Sequence, residues 1–158
     1  MSRRVSRETV VKIIFQNEFI DLRLRPDGKG EIISAEDMLA VFLGSAEAGE
    51  TDNLSKEFVL RELNAVLDNI VSIDRLISLS LQSDWTLQRV SRLDLAILRV
   101  AIGEMKFSDD IPESVAINEA VELAKKFSYP EAPAFINGVL GKISRGETET
   151  PKTDFSES

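Results

Sequence analysis

The sequence predicts an all-α protein of about seven helices. Three observations carry that expectation. Apolar residues recur at helical spacing through most of the chain. No segment alternates apolar and polar residues as a half-buried strand does. The breaks between periodic runs hold helix start and stop residues. Hydrophobic residues make up 43% of the 158, enough to build the core of one domain, expected over residues 1–145, with a disordered polar tail at 146–158.

In chain order, Ser6 to Leu24 reads as the first helix, with Ser6 as its N-cap and Val10, Val11, Ile13, Ile14 and Phe19 on a broad apolar face. Arg7 sits on that face, so a carboxylate partner such as Glu18 or Asp94 is expected. The run Pro26-Asp-Gly-Lys-Gly30 ends the helix. Ser34-x-x-Asp37 opens a second helix that Gly44 stops. Ser45 to Asn53 is acidic and turn-rich and reads as a loop. From Ser55 to Leu81 the period continues through Phe58, Val59, Leu63, Val66, Ile70, Ile73 and Ile77. That stretch is one long helix or two with a bend near Ser72.

The centre of the protein is the stretch from Trp85 to Lys126. Between Leu87 and Lys106, Val90, Leu93, Ile97, Leu98, Val100, Ala101 and Met105 cover roughly two-thirds of a helical wheel. Such a helix must be enclosed by others. Thr86 is its expected N-cap, Trp85 its hydrophobic staple on Val90, and Arg92, Arg99 and Lys106 its wet strip. Asp94 and Glu104 fall on the apolar face, where an unpaired carboxylate costs several kcal/mol, so both need a cation, donors or water. After Pro112, Glu113 to Phe127 forms the next helix, burying Ile117, Ala120, Val121 and Ala124, with Glu122 and Lys126 as an i,i+4 pair. A rigid turn at Tyr129 to Pro133 precedes the last helix, Ala134 to Ile143, where Gly138 is expected to permit close helix contact.

Composition narrows the function. With no histidine and no cysteine, the usual Ser-His-Asp, Cys-His and thiolate or imidazole metal sites are absent. No carboxylate or lysine spacing replaces them, so neither enzymatic activity nor a cofactor is expected. No window approaches the roughly 18 apolar residues of a membrane span, and the first residues lack a secretory apolar stretch; a cytoplasmic protein is expected. The net charge of −8 opposes indiscriminate nucleic-acid binding, yet residues 1–12 hold Arg3, Arg4, Arg7 and Lys12 against Glu8 alone. A small cationic end on an anionic body is the first functional hint.

Certain runs go further. Leu93-Asp-Leu-Ala-Ile-Leu-Arg-Val-Ala101, Glu104, Ile111-Pro112, Val115 to Lys125, Phe127 and Phe135-Ile-Asn-Gly-Val-Leu140 occur in an order and spacing that resemble the bacterial NusB family of transcription antitermination factors. Arg3-Arg4-x-x-Arg7-Glu8 resembles that family's arginine-rich start. The resemblance implies two small helical bundles packed together. It implies a non-enzymatic protein that pairs with the small-subunit ribosomal protein NusE, grips single-stranded boxA RNA of nascent ribosomal RNA transcripts, and joins an antitermination complex on RNA polymerase. By the same resemblance Arg3, Arg4, Arg7, Phe15 and Asp94 are RNA-binding residues, and Glu104, Glu131 and Phe135 face the protein partner. Asn118 and Asn137 match the family too, as helix-joining amides or functional groups. The chain departs from the family at Val5, where a further arginine is common, at Gly103, where an aromatic is usual, and at Ala132 and Ala134, where polar residues occur. A protein–protein adaptor with little RNA affinity is the competing expectation, and the N-terminal module of an RNA methyltransferase a disfavoured third; the free chain is expected as a monomer or a homodimer. About three phosphate contacts correspond to a log–log salt slope near −2, too weak a grip to work without a partner.

Overall fold

The computed structural model describes residues 2–17, 34–45, 49 and 54–148. Among these are seven α-helices and no strand: α1 (Arg3–Gln16), α2 (Ala35–Leu43), α3 (Lys56–Asp68), α4 (Ile70–Ser80), α5 (Arg92–Phe107), α6 (Glu113–Phe127) and α7 (Ala132–Ser144), with a 3-10 turn, Leu87–Arg89, before α5. The expected turn at Pro26–Gly30, most of the loop Ser45–Asn53 and the tail from 149 onward lie outside the described residues.

Serine side chains start four of the helices. Ser2, Ser34, Ser55 and Ser91 each accept the backbone N–H of the residue three ahead, satisfying a donor that the first turn leaves free. Two expected starts therefore move. Ser6 lies inside α1, fully buried, where its hydroxyl donates to the Ser2 carbonyl and accepts the Ser55 amide at 2.8 Å, joining α1 to the start of α3. The central helix begins at Ser91, not Thr86, which makes no capping bond; Val90 is extended and breaks the helical path. Trp85 is consequently no staple. It stays 42% exposed under the Arg89 guanidinium, 5.1 Å from its ring centroid.

Helix ends also differ from expectation for local reasons. Within the described residues α1 runs to Gln16, the expected continuation to Leu24 lying outside them, and the Asn17 side chain adds its own bond to the Ile13 carbonyl at 2.8 Å. Asn69 does the same to Ala65 at 2.8 Å and divides the long run into α3 and α4, three residues before the expected bend at Ser72. At the other end, Gly146 takes φ +73° and the amides of Gly146 and Glu147 bond Ile143 and Lys142. This reverse turn closes α7 as a Schellman motif, so residues 146–148 are ordered rather than part of a loose tail.

Helix α5 is the shared wall of two bundles. It packs on α1 and α3 on one side, with α2 covering α3, and on α4, α6 and α7 on the other. Every residue from Asp94 to Met105 is buried. Arg99, expected to be wet, is included: it forks onto Asp74 of α4 at 2.9 and 2.8 Å. Close helix approach occurs at Gly103, where a Cβ would meet Val66 Cγ2 of α3 at 3.3 Å. Gly138 is no contact point; a Cβ there would meet nothing within 4 Å.

Candidate nucleic-acid interface

Residues 3, 4 and 7 occupy the first turns of α1. Spacing of four puts Arg3 and Arg7 on one side, with Arg4 rotated about 100° away. Tertiary packing then treats them differently. Arg3 and Arg4 remain exposed, with side chains 54% and 61% accessible, whereas Arg7 is enclosed at 6%.

Each guanidinium has acidic company. Arg3 reaches Asp110 at 3.0 Å, an oxygen it shares with Arg61 of α3 at 3.1 Å. Arg4 forks onto Glu119 of α6 at 3.0 and 2.6 Å. Arg7 donates to Glu104 at 2.6 Å and to Glu119 at 3.3 Å. The guanidiniums of Arg3, Arg7 and Arg61 surround the ring of Phe58, 5.1, 5.5 and 5.3 Å from its centroid. One buried ring thus collects three cations from two helices. Hydrogen bonds from Arg3 hold the Asp110 carboxyl below the usual range, and those from Arg4 do the same to Glu119.

Beneath this layer is a buried acidic pair. Glu104 is wholly enclosed and Glu62 of α3 is 1% exposed. Burial first, then the neighbouring Glu104 carboxyl, push the Glu62 pKa up to about 9. Glu62 is therefore protonated at neutral pH and donates toward Glu104, while Ser108 donates to Glu62 at 3.3 Å. Glu104 Oε1, by contrast with the Oε2 that Arg7 reaches, is buried without a hydrogen-bond partner among the described residues. Counting Glu62 as neutral, the cluster holds Arg3, Arg4, Arg7 and Arg61 against Asp110, Glu119 and Glu104. A slight positive excess remains.

A second group lines the same face. Lys126 of α6 reaches Glu8 at 2.8 Å, in place of the expected pairing with Glu122, which Lys125 takes at 3.1 Å. Lys12 and Lys126 stand 5.9 and 5.1 Å from the centroid of Phe127. The contacts Arg4–Glu119, Glu8–Lys126 and Lys12–Phe127 step along α1 and α6 in the same direction. Phe15 and Phe127 are 39% and 41% exposed, so two rings face outward beyond the arginines.

The remaining expected residues lie elsewhere. Asp94 is buried in the first turn of α5 and accepts the Ser128 hydroxyl at 2.7 Å, so Arg7 pairs with Glu104 and not with it. Glu119 and Ser128, the C-cap of α6, are nine positions apart, about 14 Å along the axis, so the arginine cluster and Asp94 do not meet. Glu131 is exposed on the turn before α7. Phe135 is half-buried in an open apolar groove of about 430 Å³ with Leu81, Trp85, Gly138, Val139 and Lys142. Glu104, expected to face a partner, is instead the buried anchor of Arg7 and offers no surface. Sequence reasoning missed Phe58, Arg61, Glu62 and Glu119. A glutamate four residues after Phe58, between Val59 and Leu63 on an apolar face, is the signal that exposes Glu62.

The NusB family model matches residues 4–145. The chain belongs to the NusB family. The transcription antitermination protein NusB of Acetivibrio thermocellus is 41% identical over 143 residues, covering 90% of this chain and 88% of that protein. Its counterpart in Natranaerobius thermophilus is 39% identical over 145 residues, covering 91% and 95%. The solved structure of T. maritima NusB superposes with a TM-score of 0.71 at 31% identity, over 99% of this chain and 98% of that one. A complex of NusB and NusE with double-stranded RNA gives 0.70 at 19% identity, which supports the fold alone. Relatives of this NusB-family chain are thus transcription antitermination proteins, and its two bundles are the family architecture.

Proposed function

We propose that this chain is a non-enzymatic antitermination factor that holds boxA RNA of nascent ribosomal RNA transcripts jointly with NusE, within a complex on RNA polymerase in the cytoplasm. The supporting observation is the continuous face from Arg3 and Arg4, past Lys12, to Phe15 and Phe127. From Arg4 to Phe15 is about 16 Å of helix axis, a span of several nucleotides. Guanidiniums at one end suit phosphates, and exposed rings beside lysines suit stacked bases. Arg7 and Glu104 act from below by holding the start of α1 in place, and Asp94 by fixing Ser128 beside Phe127. Phe135 and Glu131 belong to the NusE side, where the apolar groove between α4 and α7 offers a seat with Lys142 at its rim.

The test is titration of labelled boxA RNA with the chain, with and without NusE, followed by fluorescence anisotropy. Tighter binding with NusE, and weaker binding of scrambled RNA, is the expected result. Equal affinity for both RNAs refutes the reading. An adaptor without RNA affinity is favoured by one fact, the acidic partners already on Arg3 and Arg4. It predicts a NusE complex whose elution and affinity RNA leaves unchanged. Self-association of the free chain is read by size-exclusion chromatography of the chain alone.

A further inference from the structure

Glu119 is placed unlike any other carboxylate on the arginine face. Its side chain is 13% exposed, yet it receives both forks of Arg4, at 3.0 and 2.6 Å, and Arg7 at 3.3 Å. Arg7 is in turn pinned by Glu104 at 2.6 Å. Glu119 is thus fixed from beneath, while Arg4, 61% exposed, is the partner that can move. A carboxylate bound through two parallel N–H···O bonds occupies the guanidinium edge that two phosphate oxygens need. Asp110 holds Arg3 through one bond with both groups about half exposed, a weaker restraint.

We infer that Glu119 is a built-in competitor of RNA phosphate, an autoinhibitory carboxylate that occupies Arg4 in the free protein and sets the grip of the arginine end on single-stranded RNA. The inference rests on the placement of Arg4 in the RNA path proposed above. Its physical content is an exchange. Arg4 leaves Glu119 for a phosphate, so part of the binding free energy is spent separating the internal pair. Affinity then remains low until a second protein contributes contacts, and isolated phosphates elsewhere are ignored.

The experiment is a double-substitution cycle read as affinity for labelled boxA RNA in the presence of NusE, with thermal melts confirming that each variant folds. Glu119→Gln is expected to tighten binding about three- to tenfold. Arg4→Ala is expected to weaken binding more in the Glu119→Gln background than in the wild type, by a similar factor. Glu119→Asp keeps the charge but is one methylene short of Arg4, so it should recover part of the gain. Glu122→Gln, which removes a charge one turn away on Glu122's pair with Lys125, should gain less. The inference is overturned if Arg4→Ala costs the same in both backgrounds, or if Glu122→Gln gains as much as Glu119→Gln with Glu119→Asp unchanged, since charge alone then accounts for the effect. Arg4→Ala without effect in either background refutes the RNA path itself, and this inference with it.

Discussion

Replacing Glu62 with glutamine isolates the buried proton. In the folded chain Glu62 keeps its proton up to about 9, against an ordinary value of 4.5. Between those values the folded state holds one proton more than the unfolded state, so stability falls as pH rises, by about 1.4 kcal/mol per unit. The contribution is complete below the unfolded pKa and lost as pH passes the folded one. Glutamine copies the protonated carboxyl in shape and still donates toward Glu104, but does not titrate. From pH 6 to pH 8 the wild type should therefore lose about 3 kcal/mol more stability than Glu62→Gln. The chain has no histidine to titrate within this window, and the α-amino group that does so is common to both proteins and cancels in the comparison. Urea unfolding followed by circular dichroism at pH 6, 7 and 8 measures both proteins. Parallel stability–pH lines would show that Glu62 is ionised in the folded state and that the buried pair holds no shared proton.

Three further outcomes are expected. Arg7→Ala leaves Glu104 buried without its cation and should cost about 3–5 kcal/mol in urea unfolding, whereas Arg4→Ala, whose guanidinium is exposed, should leave the unfolding midpoint nearly unchanged. Asp94→Ala removes the bond from Ser128 and a negative charge in the first turn of α5; a loss of about 1–2 kcal/mol is expected, with RNA affinity of the folded protein within about twofold. A tenfold change in RNA affinity at that position would place Asp94 in the interface instead. Gly138→Ala should raise stability by about 0.5–1 kcal/mol, because the added Cβ meets open space in mid-helix, while Gly103→Ala presses on Val66 and should destabilise. A thermal melt lowered by Gly138→Ala, or raised by Gly103→Ala, would contradict the corresponding assignment.

Much of the fold was legible because helical periodicity, serine caps and glycine stops are local. The α6 range, Glu113–Phe127, and the α2 capping pair Ser34 and Asp37 follow from residues a few positions apart. Helix ends were less legible where a competing signal lay nearby. Thr86 and Ser91 both suit an N-cap, and the extended Val90 decides between them. Gly138 and Gly103 look alike in sequence, yet only Gly103 faces another helix.

The candidate site divides in the same way. Arg3 and Arg4 as an exposed basic end, and Asp94 and Glu104 as carboxylates that demand partners, follow from residue type and helical angle. Which carboxylate meets which arginine does not. Arg7 finds Glu104, 97 positions away, and Arg4 finds Glu119, 115 away. By itself the sequence determined an all-α chain, the absence of histidine and cysteine chemistry, and a cationic N-terminus. Only the tertiary structure decided that Arg7 and Glu104 are buried together, that Glu62 is buried beside them, and that α1 and α6 share one face. Burial and long-range ion pairing depend on how seven helices meet around α5, and no local pattern encodes those distances.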